Sequence, residues 1–392
     1  MNAPDKSVAP KHFQYYPGNY RWSAEMMAVL SAAPYGGADL SEVDRMGRAL
    51  RDRVGDDEAW FEVWCEGSEL LRVRAQGLEK KGHKLTAANN YLRACFYYQI
   101  ADHFRQPKDD KALSAFKVSL DCFKKFAELN DSPKVEIVEL PSKHGSFPGI
   151  FVHALNPKGK KTPCVVRFGG FDTQKEMQYV RGTPDLVRRG ISYLLVDGPG
   201  QGEMIRYRNM YLRPDFEIAG SAAYDYLAKR PDVDANRIGV VAMSLGGYYA
   251  PRIAAMDQRF AACIAWGAIW DYHATWVKRL ERLKQAALPV PADHLLWACG
   301  VKTYDEALAV IKDFKQDGVA QKVKCPFLLM HGAADAQVSM PEAQKLFDLI
   351  GSKDKTFRVF TEEEGGAQHC QRDYLTRAVD VVADWLDEKL NR

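Results

Sequence analysis

No apolar run in the sequence approaches the roughly 18–20 residues that cross a bilayer, so no transmembrane segment is expected. Met1 to Tyr20 is polar and lacks the apolar stretch of a secretory signal. The eight cysteines are scattered without a CxxC pair, and some sit in apolar runs, as Cys263 does in AACIAW. That usage predicts reduced, buried thiols in a cytoplasmic protein and argues against a disulfide framework or a zinc site. A charge excess of one sign is also missing. The formal net charge is +3 and no dense Lys/Arg block occurs, which gives nucleic acid and anionic membranes nothing to bind. Neither a GxxxxGK[ST] loop nor a metal-ligand cluster is present, so no metal or organic cofactor is expected. What remains is an ordinary globular composition, 46% hydrophobic and 27% charged, over 392 residues. That length has room for a core domain and a second lobe.

The two halves of the chain differ in period. After an N-terminal arm (1–22), residues 23–132 read as helical, with no convincing strand. Trp60, Phe61 and Trp64 recur at helical spacing, as do Tyr91, Ala94, Cys95, Tyr98 and Ala101 within Leu85 to Phe104. No fixed-length repeat is visible, which makes this an accessory helical domain rather than a repeat array. From 133 to 392 short apolar runs alternate with amphipathic stretches. Strands are expected at Val135–Leu140, Ile150–Leu155, Cys164–Phe168, Ser192–Val196, Ile238–Ala242, Ala262–Trp266, Phe327–Met330 and Phe357–Phe360. Helices are expected at Met177–Arg189, Phe216–Lys229, Gly247–Ala255, Pro341–Ile350 and Arg372–Leu390. This is the pattern of an α/β fold, a mostly parallel sheet covered on both faces. Between about 271 and 323 the alternation lapses into a helical insertion.

The most informative stretch is Arg237-Ile-Gly-Val-Val-Ala-Met-Ser-Leu-Gly-Gly-Tyr-Tyr-Ala. An apolar strand runs into Ser244 and a helix starts straight after it. Such a turn holds a serine in strained geometry, exposes its oxygen and needs small neighbours two residues away on either side. Here these are Ala242, where glycine is usual, and Gly246. The Leu245 N–H, at the helix start, is placed for a developing oxyanion. The competing reading is a serine that merely caps the helix.

A serine needs a base held by an acid. In α/β-hydrolases these follow in the order serine, acid, histidine. His369 lies in a loop between the last expected strand and the last helix, whereas His331 ends a buried strand and reads as a core histidine. Asp335 follows the penultimate strand, with Asp271 as its rival and a turn cap as the plainer role. Cys370 is only a sequence neighbour of His369. A second oxyanion donor is expected from the loop after the third strand, where Gly169 and Gly170 precede Phe171, so Gly170 and Phe171 are the candidates. Asp197-Gly-Pro-Gly-Gln-Gly-Glu reads as a tight turn at the rim of the sheet.

Together FGGFDTQKEM, VDGPGQGEM, SLGGYYA, AACIAWGAIWD and the histidine loop resemble the α/β-hydrolase family of 2,6-dihydroxypseudooxynicotine hydrolase, a carbon–carbon bond hydrolase. Its wider group includes fungal polyketide-shortening hydrolases and esterases of the fermentation-respiration switch type. The likeness runs from about Lys134 to the C-terminus and is looser before it. It implies the triad Ser244, Asp335 and His369. It also implies a functional carboxylate at Asp172, where the family has a glutamate one methylene longer; an N-cap is the alternative. The helices and the insertion are then expected to close over the sheet as a cap. Trp60, Trp64, Tyr97, Tyr98, Trp270 and Trp276 become candidates to line the pocket, although each also suits helix packing. The implied activity is hydrolysis of a C–C bond beside a carbonyl in a small aromatic or polyketide-like molecule, by a homodimer. The alternatives are an ester or thioester hydrolase and, from a different class, a non-catalytic binding module.

Overall fold

The computed structural model describes residues 12–281, 283 and 288–391. Most of the expected N-terminal arm and part of the expected insertion lie outside the described residues. Five helices come first: α1 (Tyr20–Leu30), α2 (Leu40–Ala49), α3 (Asp57–Lys80), α4 (Lys84–Phe104) and α5 (Asp110–Leu129). Four of them start on a side-chain cap, in which Asn19, Asp39, Asp56 or Asp109 accepts from first-turn N–H groups. Helix α4 is buried on nearly every face from Asn90 onward because it is sandwiched between α3, α5 and the sheet layer.

The sheet has eight strands: β1 (Val135–Leu140), β2 (Phe147–Val152), β3 (Thr162–Phe168), β4 (Ser192–Val196), β5 (Val233–Met243), β6 (Ala262–Trp266), β7 (Phe327–Gly332) and β8 (Lys355–Phe360). Their order is β1-β2-β4-β3-β5-β6-β7-β8. Only the pairings β1–β2 and β2–β4 are antiparallel. The helices of this half are α6 (Lys175–Tyr179), α7 (Thr183–Arg188), α8 (Gly202–Tyr207), α9 (Glu217–Ala228), α10 (Gly246–Met256), α11 (Tyr272–Glu281), α12 (His294–Cys299), α13 (Tyr304–Ile311), α14 (Met340–Leu349) and α15 (Leu375–Leu390). None of the described helices is long and apolar enough to cross a membrane.

Strand β5 starts five residues ahead of the expected Ile238, and α8 stands where only a turn was expected. Three further departures have a local cause. The single helix expected over Met177–Arg189 is two short ones, α6 and α7, divided at Gly182 with φ +97°. Strand β2 starts at Phe147, ahead of the expected Ile150, because Pro148 needs only its carbonyl there, which accepts from the Asp197 N–H. The final helix starts at Leu375, after a tight segment in which Cys370 and Gln371 take left-handed backbone angles.

Two apolar clusters flank the sheet. One joins Trp22, Trp60 and Trp64 of the helical layer to Val165, Tyr193, Val241 and Ile264 of the strands and Val379 and Leu386 of α15. The other fills the opposite face with α9, α10 and the insertion helices. The helical layer therefore shares a core with the sheet.

Candidate active site

Strand β5 ends at Met243 and α10 begins at Gly246, which leaves Ser244 in the turn with φ +62°. A left-handed serine costs about 1–3 kcal/mol, so the surroundings must hold it. Its N–H donates to the Trp266 carbonyl at 2.8 Å, and its own carbonyl accepts from the Gly247 N–H at 2.7 Å. A side chain at Gly246 would place its Cβ 2.5 Å from the Ala242 methyl. The turn tolerates Ala242 because Gly246 gives up the space.

The Ser244 hydroxyl donates to His369 Nε2 at 2.8 Å, and His369 Nδ1 donates to Asp335 Oδ2 at 2.7 Å. The other Asp335 oxygen accepts from the Gln337 and Val338 amides at 2.8 and 3.0 Å, which fixes the carboxylate. The histidine loop is knitted by Asp373, which accepts from the N–H groups of Gly366, Ala367 and Gln368. Gln371 accepts from the Trp266 indole at 2.7 Å. Burial opposes charge on both members of the pair, but their mutual attraction outweighs it. Asp335 is held below the usual carboxylate range and His369 above the usual imidazole range. A serine so placed can pass its proton to a histidine whose cationic form is stabilised in advance.

The rivals go elsewhere. His331 donates to the Val338 carbonyl at 3.1 Å, and burial depresses its pKa. Asp271 caps the start of α11, accepting from the Ala274 N–H at 2.9 Å. The Cys370 thiol is buried, 3.6 Å from the Trp266 carbonyl.

The loop after β3 comes very close to the serine. A Cβ on Gly170 would lie 2.7 Å from the Met243 carbonyl and 2.8 Å from Ser244 Cβ, so only glycine fits. The Gly170 N–H, one of the expected oxyanion donors, donates to Thr173 Oγ1 at 2.8 Å. The Phe171 and Leu245 amides have no acceptor among the described residues. Sequence reasoning missed Gln201, whose Nε2 donates at 2.9 Å to the carbonyls of both Gly169 and Gly170. A peptide is planar and trans, so gripping the Gly170 carbonyl turns the Phe171 N–H to the other side of the loop. The DGPGQGE segment is thus more than a rim turn. Asp197 accepts from the Lys175 and Glu203 amides and pairs with the Lys175 ammonium at 3.1 Å, anchoring the loop from behind.

Asp172 does not cap a helix. The residue at the N-cap of α6 is Gln174, and it makes no side-chain cap bond. The Asp172 carboxylate is buried 3.5 Å from His103 of α4. Burial pushes its pKa up, but His103, Arg372, His294 and Arg181 together hold it below the usual range.

The aromatic candidates divide. Trp60 packs on Trp22, Trp64 and Phe104 and donates to the Ile100 carbonyl. Trp64 packs on Tyr97, while Tyr97 and Tyr98 donate to Glu42 and Glu69. These four sit within the helical layer, where Tyr97 also borders a groove of about 210 Å³ with Glu42, Met46 and Leu71 that includes no triad residue. Trp276 instead packs edge-on to Phe171, with ring centroids 5.8 Å apart. Trp270 borders an open cleft of about 820 Å³ between α11 and α14 that reaches Asp335.

The strand order, the left-handed serine at the end of β5 and the serine–histidine–aspartate chain define an α/β-hydrolase. The chain belongs to the FrsA-like esterase family, whose profile matches residues 35–391, and it is a hydrolase. It is 30% identical to hydrolase LUC6 of Fusarium sp, over 96% of this chain and 97% of that one. It is 28% identical to 20-hydroxy-prefusarin hydrolase FUS2 of Gibberella moniliformis, over 93% and 95% of the two chains. The crystal structure of 2,6-dihydroxy-pseudo-oxynicotine hydrolase superposes with a TM-score of 0.78 at 25% identity, covering 92% of this chain and 95% of that one.

Proposed function

We propose that the protein hydrolyses a C–C bond beside a carbonyl in a small β-diketone-like or acyl-aromatic molecule, with Ser244, His369 and Asp335 as its triad. The observation that carries this reading is the unbroken hydrogen-bond chain from Ser244 through His369 to Asp335. His369 takes the proton from Ser244, or from a water in its place, as oxygen attacks the carbonyl carbon. The Leu245 and Phe171 amides hold the oxyanion. The C–C bond then breaks with its electron pair on the departing carbon, where a second carbonyl delocalises it as an enolate. His369 returns the proton to that carbon, and where Ser244 was the attacking group a water deprotonated by His369 then releases the acyl group from the serine as a carboxylic acid. Asp172 is held as a carboxylate, which suits it to orienting water or substrate better than to donating a proton. The similarity to the pseudo-oxynicotine and prefusarin hydrolases supports the C–C reading.

The esterase description of the family favours a second reading, hydrolysis of an ester or thioester with the same triad. A fluorophosphonate probe is expected to label the wild-type protein but not Ser244→Ala, in which turnover falls by a factor on the order of 10⁵. Among unlabelled substrates, 1-aryl-1,3-diketones are expected to be cleaved with higher kcat/KM than the matching aryl esters. Ester turnover without diketone cleavage would establish the second reading. Absence of labelling would defeat Ser244 as the nucleophile in both readings.

A further inference from the structure

Close to the triad loops, a buried polar cluster is assembled from separate parts of the chain. Glu25 comes from α1, His103 from α4 and Arg372 from the segment after His369; His103 meets both Glu25 and Asp172, and Arg372 meets Glu25. His103 Nε2 lies 3.4 Å from Glu25 Oε2 and 3.5 Å from Asp172 Oδ2, and Arg372 Nη1 lies 3.6 Å from Glu25 Oε2. The side chains of Glu25, His103 and Asp172 are 1%, 2% and 4% exposed. Even so, both Glu25 oxygens, His103 Nε2, Asp172 Oδ2 and Arg372 Nη1 make no hydrogen bond. Buried polar atoms are rarely left without hydrogen bonds, and a group of them in one place points to a ligand that supplies the missing bonds. Arg372 links the patch to the triad, because it lines a small cavity of about 20 Å³ together with Tyr20, Ala24 and His369. Across Phe171, the insertion presents Tyr272 Oη, Trp276 Nε1 and His294 Nε2, also without hydrogen bonds.

We propose that Glu25, His103 and Arg372, with Asp172, form a subsite that binds an uncharged, hydroxyl-bearing part of the substrate beside Ser244. This rests on the reading of Ser244 as the nucleophile. The charge balance selects the ligand class. Two carboxylates, Glu25 and Asp172, face two guanidinium groups, Arg372 and Arg181, so an ionic ligand would bring a charge that nothing in the wall compensates. A hydroxyl can donate to a carboxylate and accept from a guanidinium or imidazole in the same place. The rings of Phe171, Tyr272 and Trp276 border the subsite, which suits a hydroxylated aryl or enol group. A site built around hydroxyl bonds discriminates strongly against an analogue that lacks them.

The test is calorimetric titration of the full-length Ser244→Ala protein, which binds without turnover. The probes are 1-phenylbutane-1,3-dione and its 2,4-dihydroxyphenyl analogue. The hydroxylated compound is expected to bind at least about tenfold tighter. That preference is expected to drop below about threefold when the isosteric Glu25→Gln or the smaller, polar His103→Asn is added. Melting curves identify any variant that fails to fold, and the other substitution then decides. Equal affinities, binding of neither compound, or a preference that survives both substitutions overturns the subsite. Fluorophosphonate labelling of the wild-type protein requires no hydroxyl and reports separately on Ser244. Failed labelling with an intact hydroxyl preference would overturn the catalytic reading and leave the subsite standing.

Discussion

At Ser244 a strained backbone angle is held by two short hydrogen bonds, one from its own N–H and one to its carbonyl. One of the residues that do this, Gly247, is three residues on at the start of α10, and the other, Trp266, ends β6. The serine was expected from the strand–helix turn taken together with the acid and base that follow it in the chain. His369 and Asp335 were expected from their order and their loops, which the topology sets, and the structure brings both into one hydrogen-bond chain with Ser244. Gln201 was not accessible in this way. Its effect depends on reaching two carbonyls more than thirty residues away, and a glutamine in a glycine-rich turn carries no mark of it. The pH dependence follows from the Asp335–His369 pair. Activity of the free enzyme requires neutral His369, so kcat/KM rises as pH increases through the raised pKa of that histidine. Asp335→Asn removes the charge that raises it. The acidic limb of the kcat/KM profile is expected to move to lower pH, and the plateau to fall by a factor on the order of 10⁴. A limb that stays in place would show that Asp335 does not set the titration.

Among the elements, strands were the more readable, since β1, β4 and β6 coincide with their apolar runs end to end. Helix interruptions were not, because Gly182 and the left-handed pair Cys370–Gln371 break segments whose apolar period continues through them. The aromatic residues were the least readable. Periodicity places a tryptophan on a helix face without saying what covers that face. Trp60 of α3 meets three other rings of the helical layer, whereas Trp276 of α11 meets Phe171 beside the serine. Trp60→Ala is therefore expected to lower stability by about 3–5 kcal/mol in urea unfolding while leaving the KM of the folded enzyme unchanged. Trp276→Ala is expected to raise KM or alter substrate preference. The reverse pattern would put α3 at the pocket.

For the whole molecule, the alternation of strand and helix predicted the sheet correctly, but the change of period near Pro133 overstates the separation of the two halves. The apolar cluster that begins at Trp22 continues through Val165 and Val241 to Leu386. Removing the first five helices would expose the apolar surface they bury against α6, β1 and the segment after His369. Denaturant unfolding is expected to give coincident transitions by tryptophan fluorescence, far-UV circular dichroism and loss of fluorophosphonate labelling. Resolved transitions would mean that the halves fold separately. Sharing of the core also bears on how the protein could diversify. A detachable cap can be exchanged between relatives as a unit, bringing a new specificity with it. Here a transplanted helical layer would have to match the apolar core it shares with the sheet and α15, so new substrates are reached more readily by point changes at Glu25, His103 or the insertion than by recombination.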